Sequence, residues 1–167
     1  MTELEFEKHG AYQGVAEVMG APILNWKAER ESKEYDACTF SIKNAIVAGR
    51  NAKVTPKKIG QFVTFWKREG DGPIAPYELS DDFDFLLVNV ATEHHQGQFL
   101  FSKAVLVKQG IVSSATREGK RAFRVYPPWD EVSSAQARKS QKWQLQYFVA
   151  LKPKADEGAL KKLFARD

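Results

Sequence analysis

The chain has 167 residues, of which 43% are hydrophobic and 12% aromatic, with a formal net charge of +4 at pH 7 and one cysteine. This composition supports a full core and excludes intrinsic disorder, and a single cysteine excludes an internal disulfide. No apolar run is long enough to predict a membrane span and the acidic start MTELEFEKHG lacks a signal-peptide core, so we expect a cytoplasmic protein with one domain, residues 1–167.

The amino-terminal part predicts a helix, a connection and a turn. Thr2 and Glu5 have the spacing of a capping box, and we expect a helix over Thr2–Val18 that ends at the following glycine and proline. The polar segment Asn25–Ser32 predicts a connection. Gly49-Arg50-Asn51 contains two residue types that favour turns, so we expect the chain to turn there.

Several runs have the alternation, or the β-branched and aromatic content, that is typical of strands. They are Glu34–Lys43, Ile46–Val47, Gln61–Arg68, Phe83–Ala91, Gln98–Phe101 and Arg121–Tyr126. Phe83–Ala91 is apolar on both faces, which predicts a strand in the middle of a covered sheet.

The second half also predicts helices. Ser102–Gln109 could continue the Gln98–Phe101 strand or form a short helix, and the glycine that follows favours the helix slightly. Ser133 or Ser134 caps a long helix that we expect to run to about Leu151, and Glu157–Phe164 predicts a short final helix. The fold class is therefore α+β: a single domain with a mostly antiparallel central sheet and helices from both termini packed on it.

Charge is segregated along the chain. Arg50–Arg68 holds six basic residues and no acid, whereas Glu78–Asp84 holds four acids. Val112–Trp129 is basic again. This distribution predicts one positive face. The alternative is that each block is a solvated edge without a partner.

The basic segments supply the candidate contacts to nucleic acid. Cations neutralise phosphates independently of sequence, and aromatic rings stack on bases. The candidates are Lys53, Lys57, Lys58, Arg68, Lys120, Arg121 and Arg124 for phosphates, with Trp66 and Tyr126 for bases. Packing in the core is the alternative role of the aromatic rings.

Five segments resemble, in order, the MepB family of bacterial proteins, which some genomes encode beside a multidrug efflux regulator and pump. They are Ala52–Arg68, Asp82–Phe85, Gly97–Lys103, Gly119–Pro127 and Gln141–Gln144. The resemblance covers roughly residues 34–148. It implies a nuclease-like fold of the restriction-endonuclease type and nucleic-acid binding.

A nuclease of that type holds Mg²⁺ against a phosphate with carboxylates and steadies the attacking water with a lysine. Asp84 opens the predicted central strand and is the candidate metal ligand, and Lys103 follows the returning strand. Glu78 or Asp82 is a candidate for a displaced second carboxylate, because position 101 is Phe where an acid is expected. The missing carboxylate favours binding over cleavage.

We therefore expect a cytoplasmic nucleic-acid-binding protein without turnover, with DNA favoured over RNA. The alternatives are a Mg²⁺-dependent phosphodiesterase that uses Asp84, Glu78 and Lys103, and a module whose cleft binds a nucleotide or an acidic peptide. Two further features predict no site: Cys38 lies in a strand-like run and is expected to be buried, and His94-His95 is expected to be an exposed turn.

Overall fold

The structure is a computed structural model that describes residues 12, 14–156 and 158–165. The strands in chain order are β1 (Leu24–Ala28), β2 (Cys38–Ile42), β3 (Ala45–Asn51), β4 (Lys53–Val54), β5 (Gln61–Thr64), β6 (Lys67–Arg68), β7 (Ile74–Ala75), β8 (Phe85–Ala91), β9 (Gln96–Ser102), β10 (Ala122–Val125) and β11 (Phe148–Lys152). The helices are α1 (14–19), α2 (Lys103–Lys108), α3 (Ala135–Gln144) and α4 (Ala159–Ala165). Short 3-10 turns span Lys33–Tyr35 and Leu145–Tyr147.

Six strands form the main sheet, in the order β1-β2-β3-β8-β9-β11. Every neighbouring pair in it is antiparallel except β3 and β8, which run parallel. The strand predicted over Phe83–Ala91 lies in the middle of this sheet and begins at Phe85. The structure therefore confirms the α+β class and the mostly antiparallel sheet. No helix in the described ranges is long and apolar enough to cross a membrane.

The main sheet separates two apolar layers, because residues of β8 alternate between its faces. Leu87 packs with Tyr12 beside α1 and with Leu160 of α4, so both terminal helices cover one face. Leu86 and Val88 face the other way, toward residues of β5, α2 and β10. The second face is covered by a small sheet of order β10-β5-β4, which carries Arg124 on β10.

The predicted turn at Gly49-Arg50-Asn51 is wrong, because these residues continue β3 to its end. Gly49 pairs with Leu87, and Asn51 pairs with Asn89 of the parallel neighbour. Any side chain at position 49 would collide with the Tyr12 hydroxyl, 2.6 Å from an ideal Cβ. The glycine therefore serves close packing in a strand rather than a turn.

The predicted helix to Leu151 is also wrong beyond Gln144. A 3-10 turn follows, and β11 then pairs antiparallel with β9 along Phe148–Lys152. The helical spacing of Trp143 and Tyr147 is real, and both rings pack against Phe101. Phe148–Lys152 does not continue the helix, because its backbone groups form hydrogen bonds with the edge of β9 instead.

The remaining differences concern shorter segments. The predicted polar connection over Asn25–Ser32 contains the edge strand β1, and β2 is only the second half of the predicted Glu34–Lys43 strand. The predicted Gln61–Arg68 strand is divided into β5 and β6. Most of the predicted Thr2–Val18 helix lies outside the described residues.

The helix predicted over Ser102–Gln109 is confirmed as α2. The Ser102 hydroxyl caps it by accepting a hydrogen bond from the Val105 N–H at 3.3 Å. The final helix is confirmed as α4.

Candidate functional site

A groove of about 800 Å³ lies between β10, α3 and the segment that follows α2. Its walls hold six cationic side chains and no carboxylate: Lys58, Lys108, Arg117, Lys120, Arg124 and Lys139. We call it the basic groove. Five of the cations are exposed and Arg124 is half-buried, so their charges face the open space.

Arg124 of β10 is the most constrained cation of the basic groove. Its Nη2 donates to the Thr55 hydroxyl at 2.6 Å, and its Nη1 donates to the carbonyls of Ile59 and Gly60 at 3.3 Å each. The guanidinium also lies 5.7 Å from the centre of the Phe62 ring. These neutral partners fix the side chain without cancelling its charge, so it remains an anion-binding group.

Arg117 lies over Gly110, two residues after the end of α2. Gly110 has φ 73°, in the left-handed region, and an ideal Cβ there would be 2.3 Å from the Arg117 Cζ atom. The chain then continues to Gly119, whose N–H donates to the Ser113 hydroxyl at 2.8 Å. Both glycines therefore let this segment fold back and place Arg117 and Lys120 on the same wall.

Gln144 joins the two walls that α3 and β10 contribute. Its side chain is 1% exposed; it donates to the Arg124 carbonyl at 2.9 Å and accepts from the Tyr126 N–H at 2.8 Å. Tyr126 packs against Gly60, where a Cβ would be 2.6 Å from the ring. Trp143 and Tyr126 are half-buried and line the groove, so each presents part of a ring to it.

A second cavity of about 660 Å³ has walls of mixed charge. Glu31 accepts hydrogen bonds there from Arg68 Nε at 2.8 Å and from Trp66 Nε1 at 2.9 Å. These two bonds, with the Arg68 bond the larger cause, lower the pKa of the Glu31 carboxyl below its usual value. Arg50 also borders this cavity, which we call the Arg50 cavity.

A third region, the acidic corner, comprises Glu78–Asp84 with Lys67 and Lys103. Lys67 Nζ lies 2.9 Å from Asp81 and 3.4 Å from Glu78, and the hydrogen bond with Asp81 is the main cause that raises the pKa of Lys67. Lys103 donates to the carbonyls of Leu79 and Asp81 and lies 4.7 Å above the Phe83 ring. Both lysines of the acidic corner therefore have internal partners.

Asp84 has a structural contact of its own. One carboxylate oxygen accepts a hydrogen bond from the Ile46 N–H at 2.8 Å, next to the start of the parallel β3–β8 pair. Asp84 and Lys103 border the same shallow pocket, whereas Glu78 does not.

Within residues 12, 14–156 and 158–165, no group of three or more His, Cys, Asp or Glu side chains could hold a metal ion. Mg²⁺ prefers carboxylate oxygens in octahedral geometry. Glu78 pairs with Lys67. Asp84 is the only carboxylate among the described residues that line its pocket.

Family comparisons agree with the resemblance in the sequence. The MepB-like family model matches residues 29–150. The chain belongs to the MepB-like family. The crystal structure of MepB superposes with a TM-score of 0.77 at 33% identity, covering 92% of this chain and 100% of that one. The structure of a bacterial homing endonuclease gives a TM-score of 0.49 at 17% identity, covering 84% and 88%. No curated protein sequence matches significantly.

All six cations of the basic groove lie inside the MepB-like match. Of the predicted contact residues, the structure brings four together there: Lys58, Lys120, Arg124 and Tyr126. The other predicted contacts lie elsewhere. Trp66 and Arg68 border the Arg50 cavity, and Lys53 lies 5.0 Å from the Tyr35 ring. Lys57 is exposed on the loop between β4 and β5. Arg121 donates to the Ile74 carbonyl and pairs with Glu118 at 3.3 Å.

Three cations of the basic groove were not among the predicted contacts: Lys108, Arg117 and Lys139. Arg117 belongs to the basic segment 112–129, so the charge pattern contained a signal for it. Lys108 ends α2 and Lys139 lies on α3. Only the packing of these two helices beside β10 places them together.

Cys38 and the adjacent histidines His94 and His95 were predicted to form no site. Cys38 is fully buried, as expected, and burial raises the pKa of its thiol. His94 is exposed, but His95 is half-buried and stacks on Trp129 with 4.9 Å between ring centres. The adjacent histidines therefore have different surroundings.

Proposed function

We propose that this MepB-like chain binds nucleic acid through the basic groove, with DNA as the preferred partner over RNA. The observation that carries the proposal is the lining of the groove: six cations and no carboxylate. Lys67 and Arg68, by contrast, are paired with acids. Cations without an internal counter-ion attract a polyanion and release its condensed counter-ions.

The geometry supports contact with the backbone of the nucleic acid rather than base reading. Arg124 is held by neutral acceptors, and a fixed guanidinium suits a bidentate phosphate contact. Tyr126 and Trp143 border the same space and offer ring surface for stacking. Phosphate contacts determine position and affinity but carry no sequence information, so the proposal is binding of low sequence specificity.

The proposed activity is binding without turnover. Hydrolysis by the restriction-endonuclease route needs acids that hold a divalent metal beside the scissile phosphate. The lining of the basic groove contains no Asp or Glu, so its side chains can hold a phosphate but supply no such ligand.

The test is equilibrium binding of a fluorescent DNA duplex across a series of salt concentrations. If all six cations contact phosphates, log K should fall against log salt with a slope of about −5. Lys120→Ala and Lys139→Ala together should make that slope shallower by about 2. Single-stranded DNA and an RNA duplex of the same sequence test the preference for DNA.

The matched control is Lys161→Ala with Lys162→Ala, which removes the same charge from exposed positions on α4. This variant should keep the original slope. A flat salt response of the unaltered chain, or an equal loss in both double variants, would contradict a phosphate-tracking groove. Equal affinity for the RNA duplex would remove the preference for DNA only.

A further inference from the structure

The side chain of Arg50 is the largest fully buried side chain that carries a charge, at 1% exposure. It projects from β3 onto the face of the main sheet that β5 and β10 cover, since Arg50 pairs with Val88. Its guanidinium lies 5.3 Å from the centre of the Phe65 ring. Burying a charge costs free energy unless the charge is paired, so the groups around the Arg50 guanidinium determine whether it is neutralised.

The partners of Arg50 are neutral. Its Nε donates to the Thr64 carbonyl at 3.2 Å and its Nη1 donates to the Gly49 carbonyl at 2.9 Å. Among the residues that the structure describes, no carboxylate forms an ion pair with Arg50. A guanidinium has five N–H donors, so these contacts leave donors and a full positive charge at the edge of the Arg50 cavity.

Two further cations lie at the mouth of the Arg50 cavity. Arg30 and Lys33 are exposed and border it from the loop before β2. That loop is anchored by the Thr64 hydroxyl, which donates to the buried Ser32 hydroxyl at 2.7 Å. The same β5 residue therefore holds both Arg50, through its carbonyl, and the loop that carries the two mouth cations.

The acids of the Arg50 cavity are largely engaged elsewhere. Glu31 is bound by Arg68 and Trp66. Glu29 accepts from the Thr39 hydroxyl and lies 4.0 Å from Lys27. Asp71 lies on the exposed turn between β6 and β7. None of these carboxylates neutralises the guanidinium at the base of the cavity.

We propose that the Arg50 cavity binds a small ligand that carries a phosphate or carboxylate group, with the Arg50 guanidinium as its anchor and Arg30 and Lys33 as secondary contacts. The planar fork of an arginine matches both oxyanions. The cavity, at about 660 Å³, has the size of a small-molecule site. Trp66 and Tyr77 supply apolar wall beside the charge. The site is separate from the basic groove and does not depend on nucleic-acid binding.

Thermal unfolding with inorganic phosphate, at constant ionic strength maintained with chloride, tests the proposal. The melting temperature should rise with phosphate and saturate, because a ligand that binds only the folded state stabilises it. Arg50→Lys keeps the charge but loses the fork, and should weaken apparent phosphate affinity on the order of tenfold or more. Malonate and adenosine monophosphate, each compared with phosphate, distinguish carboxylate from phosphomonoester ligands.

Exposed positions provide a second measurement that does not depend on the folding of an Arg50 variant. Arg30→Ala with Lys33→Ala should weaken phosphate binding several-fold, whereas Lys161→Ala with Lys162→Ala, at exposed positions of α4 outside both cavities, should leave it unchanged. The proposal is overturned if phosphate stabilises no more than chloride, if Arg50→Lys or the Arg30→Ala with Lys33→Ala variant binds phosphate as the original chain does, or if the α4 control variant loses the effect equally.

Discussion

The basic groove and the acidic corner both contain lysines, but these lysines have different partners. In the acidic corner, Lys67 pairs with Asp81 and Glu78, and Lys103 donates to two carbonyls. In the basic groove, six cations share walls that contain no acid. The binding capacity of a cation therefore depends on the partners that the fold gives it, rather than on its position in a basic run of sequence.

The two regions also differ in what holds them in place. The acidic corner depends on charge pairs, since the Asp81 carboxylate binds Lys67 and accepts the Glu78 N–H at 2.7 Å. The basic groove depends on neutral hydrogen bonds, such as those of Gln144 and Arg124. Removing a charge should therefore cost stability in the acidic corner and affinity in the basic groove.

The largest effect on stability is expected from Asp81→Asn. Loss of the carboxylate weakens the bonds to Lys67 and Glu78, and a hydrogen bond to a charged group contributes about 2 kcal/mol. Urea unfolding should show this loss while DNA affinity stays the same. Asp82→Asn is the control, because Asp82 is exposed and a surface change of this kind costs within about 0.5 kcal/mol. Equal stability of the two variants would contradict a structural role for Asp81.

An acid placed in the basic groove should make it resemble the acidic corner. Ser140 borders the groove on α3, and Ser140→Glu would give the cations an internal partner. We expect DNA affinity to fall on the order of tenfold, because one phosphate contact is cancelled and the new charge repels the backbone. Ser80→Glu changes the net charge equally at an exposed position outside the groove. If both variants bind DNA equally, net charge rather than the groove governs affinity.

The smallest effect should appear as a pH dependence. Because the bond with Asp81 raises the pKa of Lys67 above its ordinary value of 10.5, the pair stabilises the fold fully below that pH. The contribution is lost as the pH rises through the raised pKa. The difference in unfolding free energy between the original chain and Lys67→Met should therefore be constant from neutral pH upward and shrink above about pH 10.5. Lys154→Met, at an exposed position, should show no such change.

The sequence predicts the parts of this fold that depend on local pattern. β8 follows from apolar residues on both faces, and α2 follows from Ser102 at its start and a glycine after its end. The pattern fails where tertiary contacts override it. The sequence predicts a turn at Arg50, but β3 pairs with β8 there and the Arg50 side chain is buried. The spacing before Leu151 favours a helix, but Phe148–Lys152 pairs with the edge of β9 and forms a strand.

The candidate site was predictable only in part for the same reason. Arg124 and Tyr126 lie in a predicted strand, and Lys120 lies in a basic segment, so charge and spacing identify them. Arg121 lies in the same segment, yet it precedes β10 and pairs with Glu118. Lys108 and Lys139 enter the groove because two helices that are distant in sequence pack beside β10.

The bridge that Gln144 forms between α3 and β10 has a kinetic consequence. Because this buried amide ties the Arg124 and Tyr126 backbone to the helix, the width of the basic groove is set before a ligand arrives. A preformed, positively charged surface needs no slow rearrangement, so encounter should be accelerated by electrostatic steering. Stopped-flow mixing with DNA should therefore show one fast, salt-sensitive association phase, and Gln144→Ala should add a slower, salt-independent step.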